Sequence, residues 1–172
     1  RRADHGEAQA RSADPGLGGE DIVDGGEGDN LVIGGAGQDQ VVVGSGNDTL
    51  LGDNGEILFS GGTMTRILST DPSGTTGGND EIQGAGGDDI VIGGPGSDTI
   101  TGAEGDDILL GDNGRVTLVD GTPVLVASEG GAGGGADILV GNAGDDVLVG
   151  GAGSAVLTGG GGFDTLFGDG GV

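Results

Sequence analysis

Residues Gly93–Thr101 read GGPGSDTIT, a nine-residue pattern of the form Gly-Gly-x-Gly-x-Asp-x-aliphatic-x. The same pattern appears as Gly34–Val42 (GGAGQDQVV), Gly141–Val149 (GNAGDDVLV) and Gly159–Phe167 (GGGGFDTLF). Working outward from these gives twelve copies, starting at residues 16, 25, 34, 43, 75, 84, 93, 102, 132, 141, 150 and 159. The fourth position is Gly and the eighth is Val, Ile or Leu in every copy, and the sixth is Asp except at Asn30 and Ala155. Glycine permits positive φ and close backbone approach, so Gly-Gly-x-Gly predicts a tight turn with free carbonyls. The x-aliphatic-x triplet predicts a short strand with its middle side chain turned inward. A three-residue strand buries nothing alone, whereas a stack of them builds a continuous aliphatic ladder. Two units make one coil, so units 18 residues apart stack on the same side.

That stacking sets Asp21 over Asp39 and Asn30 over Asp48 in the first group of repeats. In the second it sets Asp80 over Asp98 and Asp89 over Asp107, and in the third Asp146 over Asp164, with Asp137 facing Ala155. Carboxylates at a strand spacing of about 4.8 Å repel one another unless a cation lies between them. Two carboxylates plus several turn carbonyls form an all-oxygen set, which suits Ca²⁺ with its 6–8 oxygens at about 2.3–2.6 Å better than strictly octahedral Mg²⁺. With no Cys and one His, zinc and soft-metal sites are not expected.

The unit resembles the RTX (repeats-in-toxin, haemolysin-type) calcium-binding repeat over about residues 16–55, 75–114 and 132–171. The resemblance implies a parallel β-roll with calcium in the turns, secretion from the cell, and folding triggered by extracellular calcium. In that family the export signal usually lies at the far C-terminus of the whole protein.

Composition agrees. The 172 residues include 47 Gly, and the formal charge is −24. Without calcium, a chain this acidic with so thin a core is expected to repel itself into disorder. The acidity argues against nucleic acid and anionic membranes as partners. No apolar run reaches the length of a membrane span, and residues 1–15, which form a polar N-terminal tail, do not read as a signal peptide. The chain starts without Met and stops early in a further unit, so it is expected to be a piece of a longer protein.

A longer period overlies the short one. The copies fall into blocks at 16–55, 75–114 and 132–172, and each block of four ends in an altered turn. These turns are Gly52-Asp53-Asn54-Gly55, Gly111-Asp112-Asn113-Gly114 and Gly168-Asp169-Gly170-Gly171. Asp53, Asp112 and Asp169 are expected either as closing ligands of each block's calcium ladder or as simple turn formers. The inserts between blocks, 56–74 and 115–131, each hold two β-prone apolar runs around a Gly-containing turn and predict β-hairpins. On the strands of the second and fourth units of each block the outward positions are distinctly apolar, as in Leu31, Ile33, Leu51, Ile90, Ile92, Ile108, Leu110, Val147 and Val149. A bare patch of that size would be unusual. The hairpins are therefore expected to fold over it, bringing Phe59 and Leu118 into contact with it in the same chain or another.

No Gly-x-Ser-x-Gly elbow, Cys nucleophile or phosphate loop is present. His5 lies in the polar tail without a partner pattern. Adjacent carboxylates such as Asp88-Asp89 recur at one register, which fits turns and cation ligation rather than acid–base catalysis. The expected fold is all-β: a right-handed parallel β-roll, a calcium-binding β-solenoid, with β-hairpin insertions. The expected role is non-enzymatic: a Ca²⁺-binding structural segment of a large secreted or cell-surface protein of adhesin or matrix type. The alternatives are a segment that assists export and folding of a secreted enzyme or toxin, and a self-associating filament or matrix subunit that meets neighbours through the apolar face.

Overall fold

The computed structural model describes residues 9–11, 18–71, 74–130 and 133–168. In chain order the strands are β1 (Gln9–Arg11), β2 (Ile22–Gly26), β3 (Leu31–Ile33), β4 (Gln40–Val43), β5 (Thr49–Leu51), β6 (Gly55–Ser60), β7 (Thr63–Ser69), β8 (Glu81–Gln83) and β9 (Ile90–Ile92). They continue as β10 (Thr99–Glu104), β11 (Ile108–Leu110), β12 (Gly114–Val119), β13 (Thr122–Ser128), β14 (Ile138–Ala143), β15 (Val147–Val149), β16 (Val156–Gly161) and β17 (Thr165–Phe167). Among the described residues there is no helix, and hence none long and apolar enough to cross a membrane.

Each nonapeptide supplies one short strand, and alternate strands join alternate sheets. The two six-stranded parallel sheets run β2-β4-β8-β10-β14-β16 and β3-β5-β9-β11-β15-β17. Register follows the repeat: the inward aliphatic of one coil pairs with that of the next, as in Ile82 with Ile100 and Leu109 with Leu148. These side chains form the buried core between the sheets, from Val32 and Val41 through Ile82, Val91, Ile100 and Leu109 to Leu139 and Leu148. The pairing passes straight across the inserts, with Val41 beside Ile82 and Leu50 beside Val91. The three blocks are therefore one continuous β-roll.

The altered turns do not close their blocks. Gly52 and Asp53 donate to the carbonyls of Ile92 and Gly93, just as Gly93 and Gly94 of an intact turn donate to those of Leu110 and Gly111. A Cβ on Gly52 would run into Asp80 Oδ2, as one on Gly93 would run into Asp98 Oδ2. Gly52-Asp53 is thus the first half of a nonapeptide whose second half, Gly77–Gln83, follows the insert. Gly111-Asp112 and Gly134–Val140 make the second such pair, for a Cβ on Gly111 would meet Asp137 Oδ2. Splitting the turn relaxes its second position: intact turns on this edge hold Gly35, Gly94 and Gly151 at positive φ, and Asp53 and Asp112 are free of that requirement. Each carboxylate sutures the two halves, Asp53 Oδ1 accepting from Gly78 N and Asp112 Oδ1 from Gly135 N, both at 3.2 Å.

The inserts are hairpins, β6–β7 and β12–β13, with equivalent bulges at Leu58/Phe59 and Thr117/Leu118. Their tight turns use positive φ at Gly61-Gly62 and Asp120-Gly121, matching the twist of the flanking strands. They also pair with each other through β7 and β12, giving one antiparallel sheet in the order β1-β6-β7-β12-β13. The spacing explains this. Successive split turns are two coils apart, about 9.6 Å at a strand spacing of about 4.8 Å, which is also the width of a two-stranded hairpin. Hairpins leaving the same edge every two coils therefore meet side by side. Within the stretch expected to be a polar tail, Gln9–Arg11 forms β1 and extends this sheet, Ala10 opposite Ile57 as Ile67 is opposite Val116.

The antiparallel sheet lies over the apolar outer face of the roll. Leu51, Ile92, Leu110 and Val149 are buried against Ile57, Ile67, Val116 and Leu118, with Phe59, Met64, Ile90 and Ile108 packed at the margin. The expected contacts of Phe59 and Leu118 with this face are thus made within the chain. The cover stops before the last coil, where Leu166 and Phe167 are exposed.

Candidate metal centre

Two stacks of turns flank the core. The insert-bearing edge carries Asp21, Asp39, Asp80, Asp98, Asp137 and Ala155, and the uninterrupted edge carries Asn30, Asp48, Asp89, Asp107, Asp146 and Asp164. From the second coil on, each carboxylate uses Oδ1 to accept the backbone N–H of the matching residue one coil earlier. On the first edge the bonds run Asp21 to Asp39, Asp39 to Asp80, Asp80 to Asp98 and Asp98 to Asp137, at 2.8–2.9 Å. On the second they run Asn30 to Asp48, Asp48 to Asp89, Asp89 to Asp107, Asp107 to Asp146 and Asp146 to Asp164. Sequence reasoning paired carboxylates within blocks; the structure also pairs Asp39 with Asp80, Asp98 with Asp137, Asp48 with Asp89 and Asp107 with Asp146 across the inserts.

The second oxygen has no such partner. Oδ2 of Asp39, Asp48, Asp80, Asp89, Asp98, Asp107, Asp137 and Asp146 is buried and accepts no hydrogen bond. A buried carboxylate oxygen left unpaired is expensive, and here it recurs in each of the four inner coils on both edges. The place it points to is defined by the glycines. A Cβ at the first turn position would collide with the unit's own Oδ2 and with the first carbonyl of the next coil: Asp39 and Gly52 O at Gly34, Asp89 and Gly102 O at Gly84, Asp98 and Gly111 O at Gly93. Carboxylate and carbonyl oxygens thus converge beside a glycine kept bare. Among the described residues no three acidic or histidine side chains converge on one point, so a cation held here would complete its shell with turn carbonyls or water. An all-oxygen mixture of this kind fits calcium.

The electrostatics of the ion-free fold are unfavourable to charge. Burial raises Asp89 and Asp137 to about 6, Asp80, Asp107 and Asp112 to about 7, and Asp98 to about 8. It lifts Asp39 and Asp146 as well. Asp53 rises furthest, to about 9, through burial and then the nearby carboxylates of Asp80 and Asp98. A cation reverses this balance by favouring the ionised form.

Asp53 and Asp112 serve as turn residues and lie within the ladder rather than at the end of a block. Oδ1 of each holds the split turn together, while Oδ2 is buried, unpaired and turned toward the same ladder. Asp169 lies outside the described residues, as does His5. At Ala155 the ladder lacks a carboxylate, and Asp137 N donates instead to Ser154 O at 3.2 Å. Sequence reasoning missed the splitting of the turns, although Thr75 and Thr76 in place of the paired glycines at the start of a unit were a signal.

The RTX calcium-binding nonapeptide repeat is matched over residues 15–55, 75–100, 83–118, 131–166 and 149–172, and the chain belongs to this family. Its repeats are of the calcium-binding type that folds as a β-roll. No curated protein matches the chain.

Proposed function

We propose that this chain is a non-enzymatic, calcium-loaded structural segment of a secreted RTX-type protein, an adhesin or cell-surface component, that folds when it meets extracellular calcium. The observation carrying this reading is the file of buried, unpartnered Oδ2 atoms along both edges of the roll. In calcium-poor cytosol these carboxylates and a net charge of −24 oppose compaction, which keeps the chain extended for export. In calcium-rich surroundings each ion joins adjacent coils, so binding energy becomes folding energy. Circular dichroism and size-exclusion chromatography of the chain test this. Coil and a large hydrodynamic radius are expected in chelator, and β signal with a compact radius on adding calcium. A chain equally compact and β-rich in chelator would sink the proposal.

A further inference from the structure

One rung of the uninterrupted edge is built differently from the others, and this inference rests on the calcium reading above. At Asn30 the sixth-position side chain is an amide. Its Nδ2 donates to Gly26 O at 3.1 Å, to Gly28 O at 2.6 Å and to Asp48 Oδ1 at 3.0 Å. Two turn carbonyls and the neighbouring carboxylate therefore converge on a donor that belongs to the protein. At Asp48, Asp89, Asp107 and Asp146 of the same edge the corresponding side-chain oxygen is buried and accepts nothing.

A second departure lies beside it. The next unit begins with Val43 where the other units of this edge that follow it begin with Gly84, Gly102, Gly141 and Gly159. Val43 is buried and belongs to the core cluster. A Cβ built on Gly25 would meet a γ-methyl of Val43, whereas one on Gly84 or Gly141 would meet the next coil's carbonyl oxygen. A methyl group cannot ligate a cation, and an amide N–H competes with one for the same oxygens. The rung has also lost one of its two carboxylates, which halves the charge a divalent ion would neutralise.

We propose that the Asn30–Asp48 rung is metal-free, the Asn30 carboxamide standing where later rungs take calcium. On this edge the first coil then closes onto the second through hydrogen bonds alone, while the Asp21–Asp39 rung of the opposite edge keeps both of its carboxylates.

Anomalous diffraction at long wavelength from crystals grown in calcium, with ions counted by native mass spectrometry, tests this on the full chain. Ions at the Asp89–Asp107 and Asp107–Asp146 rungs and none at Asn30 are expected, and the Asn30→Asp, Val43→Gly double variant should bind one ion more. An ion at Asn30 in the unaltered chain, or an unchanged count in the double variant, overturns the inference while leaving the calcium reading intact. Absence of ions from every rung overturns both.

Discussion

The roll and its cover sheet are both β-structure from one chain, yet different interactions hold them. The roll has strands of three to six residues, a ladder of inward aliphatics, and two files of buried carboxylates. The cover sheet has strands of six or seven residues in its two hairpins, and packs aliphatic side chains against the outer face of the roll with no carboxylate ladder. On the calcium reading proposed above, ions joining its coils would stabilise the thin core of the roll, whereas the amphipathic hairpins need only a face to lie on. The cover therefore depends on the roll for its surface.

The largest expected effect that separates the two regions comes from core truncation. Leu148→Ala in the roll and Ile67→Ala in the cover should each destabilise by about 2–5 kcal/mol, the usual range for deleting a fully buried aliphatic. Their consequences should differ in kind. Leu148→Ala should weaken calcium binding together with folding, because the rungs of that coil are carried on its strands. Ile67→Ala should leave the number of bound ions unchanged and raise hydrogen exchange mainly in β6, β7 and β12. Equal loss of ions in both variants would show that roll and cover are one cooperative unit.

Acidity should act on the roll in opposite directions with and without calcium. Burial raises the folded-state values of Asp80, Asp98 and Asp107 to about 7–8 from an unfolded value of 3.8. Raised values mean that the ion-free fold binds more protons than the coil, so this contribution is present below about pH 4 and is lost as pH rises through 6–9. In chelator, β signal should thus be greater near pH 5 than near pH 9. With calcium present the order reverses, since protons compete with the ion for the same oxygens. Titrations by circular dichroism across this range check both signs, and a pH-independent signal in chelator would mean that the ladder carboxylates do not control the ion-free state.

The smallest effect is expected at the far end of the insert-bearing edge. Ala155→Asp restores the missing carboxylate below Asp137, whose N–H now turns to Ser154 O. The variant should gain one calcium ion by native mass spectrometry with little change in secondary structure. No gain would show that carbonyls already complete that site.

Much of this was legible in the chain itself. Glycine at one fixed position and an aliphatic at another, each recurring every nine residues, leave a roll as the structure that satisfies every copy. The acidic position within the same period names the ligand type. The apolar outward residues on alternate units, matched by apolar runs in the inserts, indicated what the hairpins would cover. The position of Asp53 was legible only in part: its carboxylate marked it as special, but not as half of a turn completed 24 residues later by Gly77.

What the sequence by itself determined is local and periodic: turn, short strand, inward ladder and calcium-type ligand set, because each follows from residues within one or two repeats. Only the tertiary structure decided which coils become neighbours across the inserts, that β7 would join β12, that β1 would leave the polar segment to pair with β6, and that the Asn30 amide would meet Gly26, Gly28 and Asp48. Those outcomes depend on distances between parts of the chain brought together by stacking. A coil spacing that makes two coils as wide as one hairpin has no signature in any single repeat, and appears only when the coils are laid one on another.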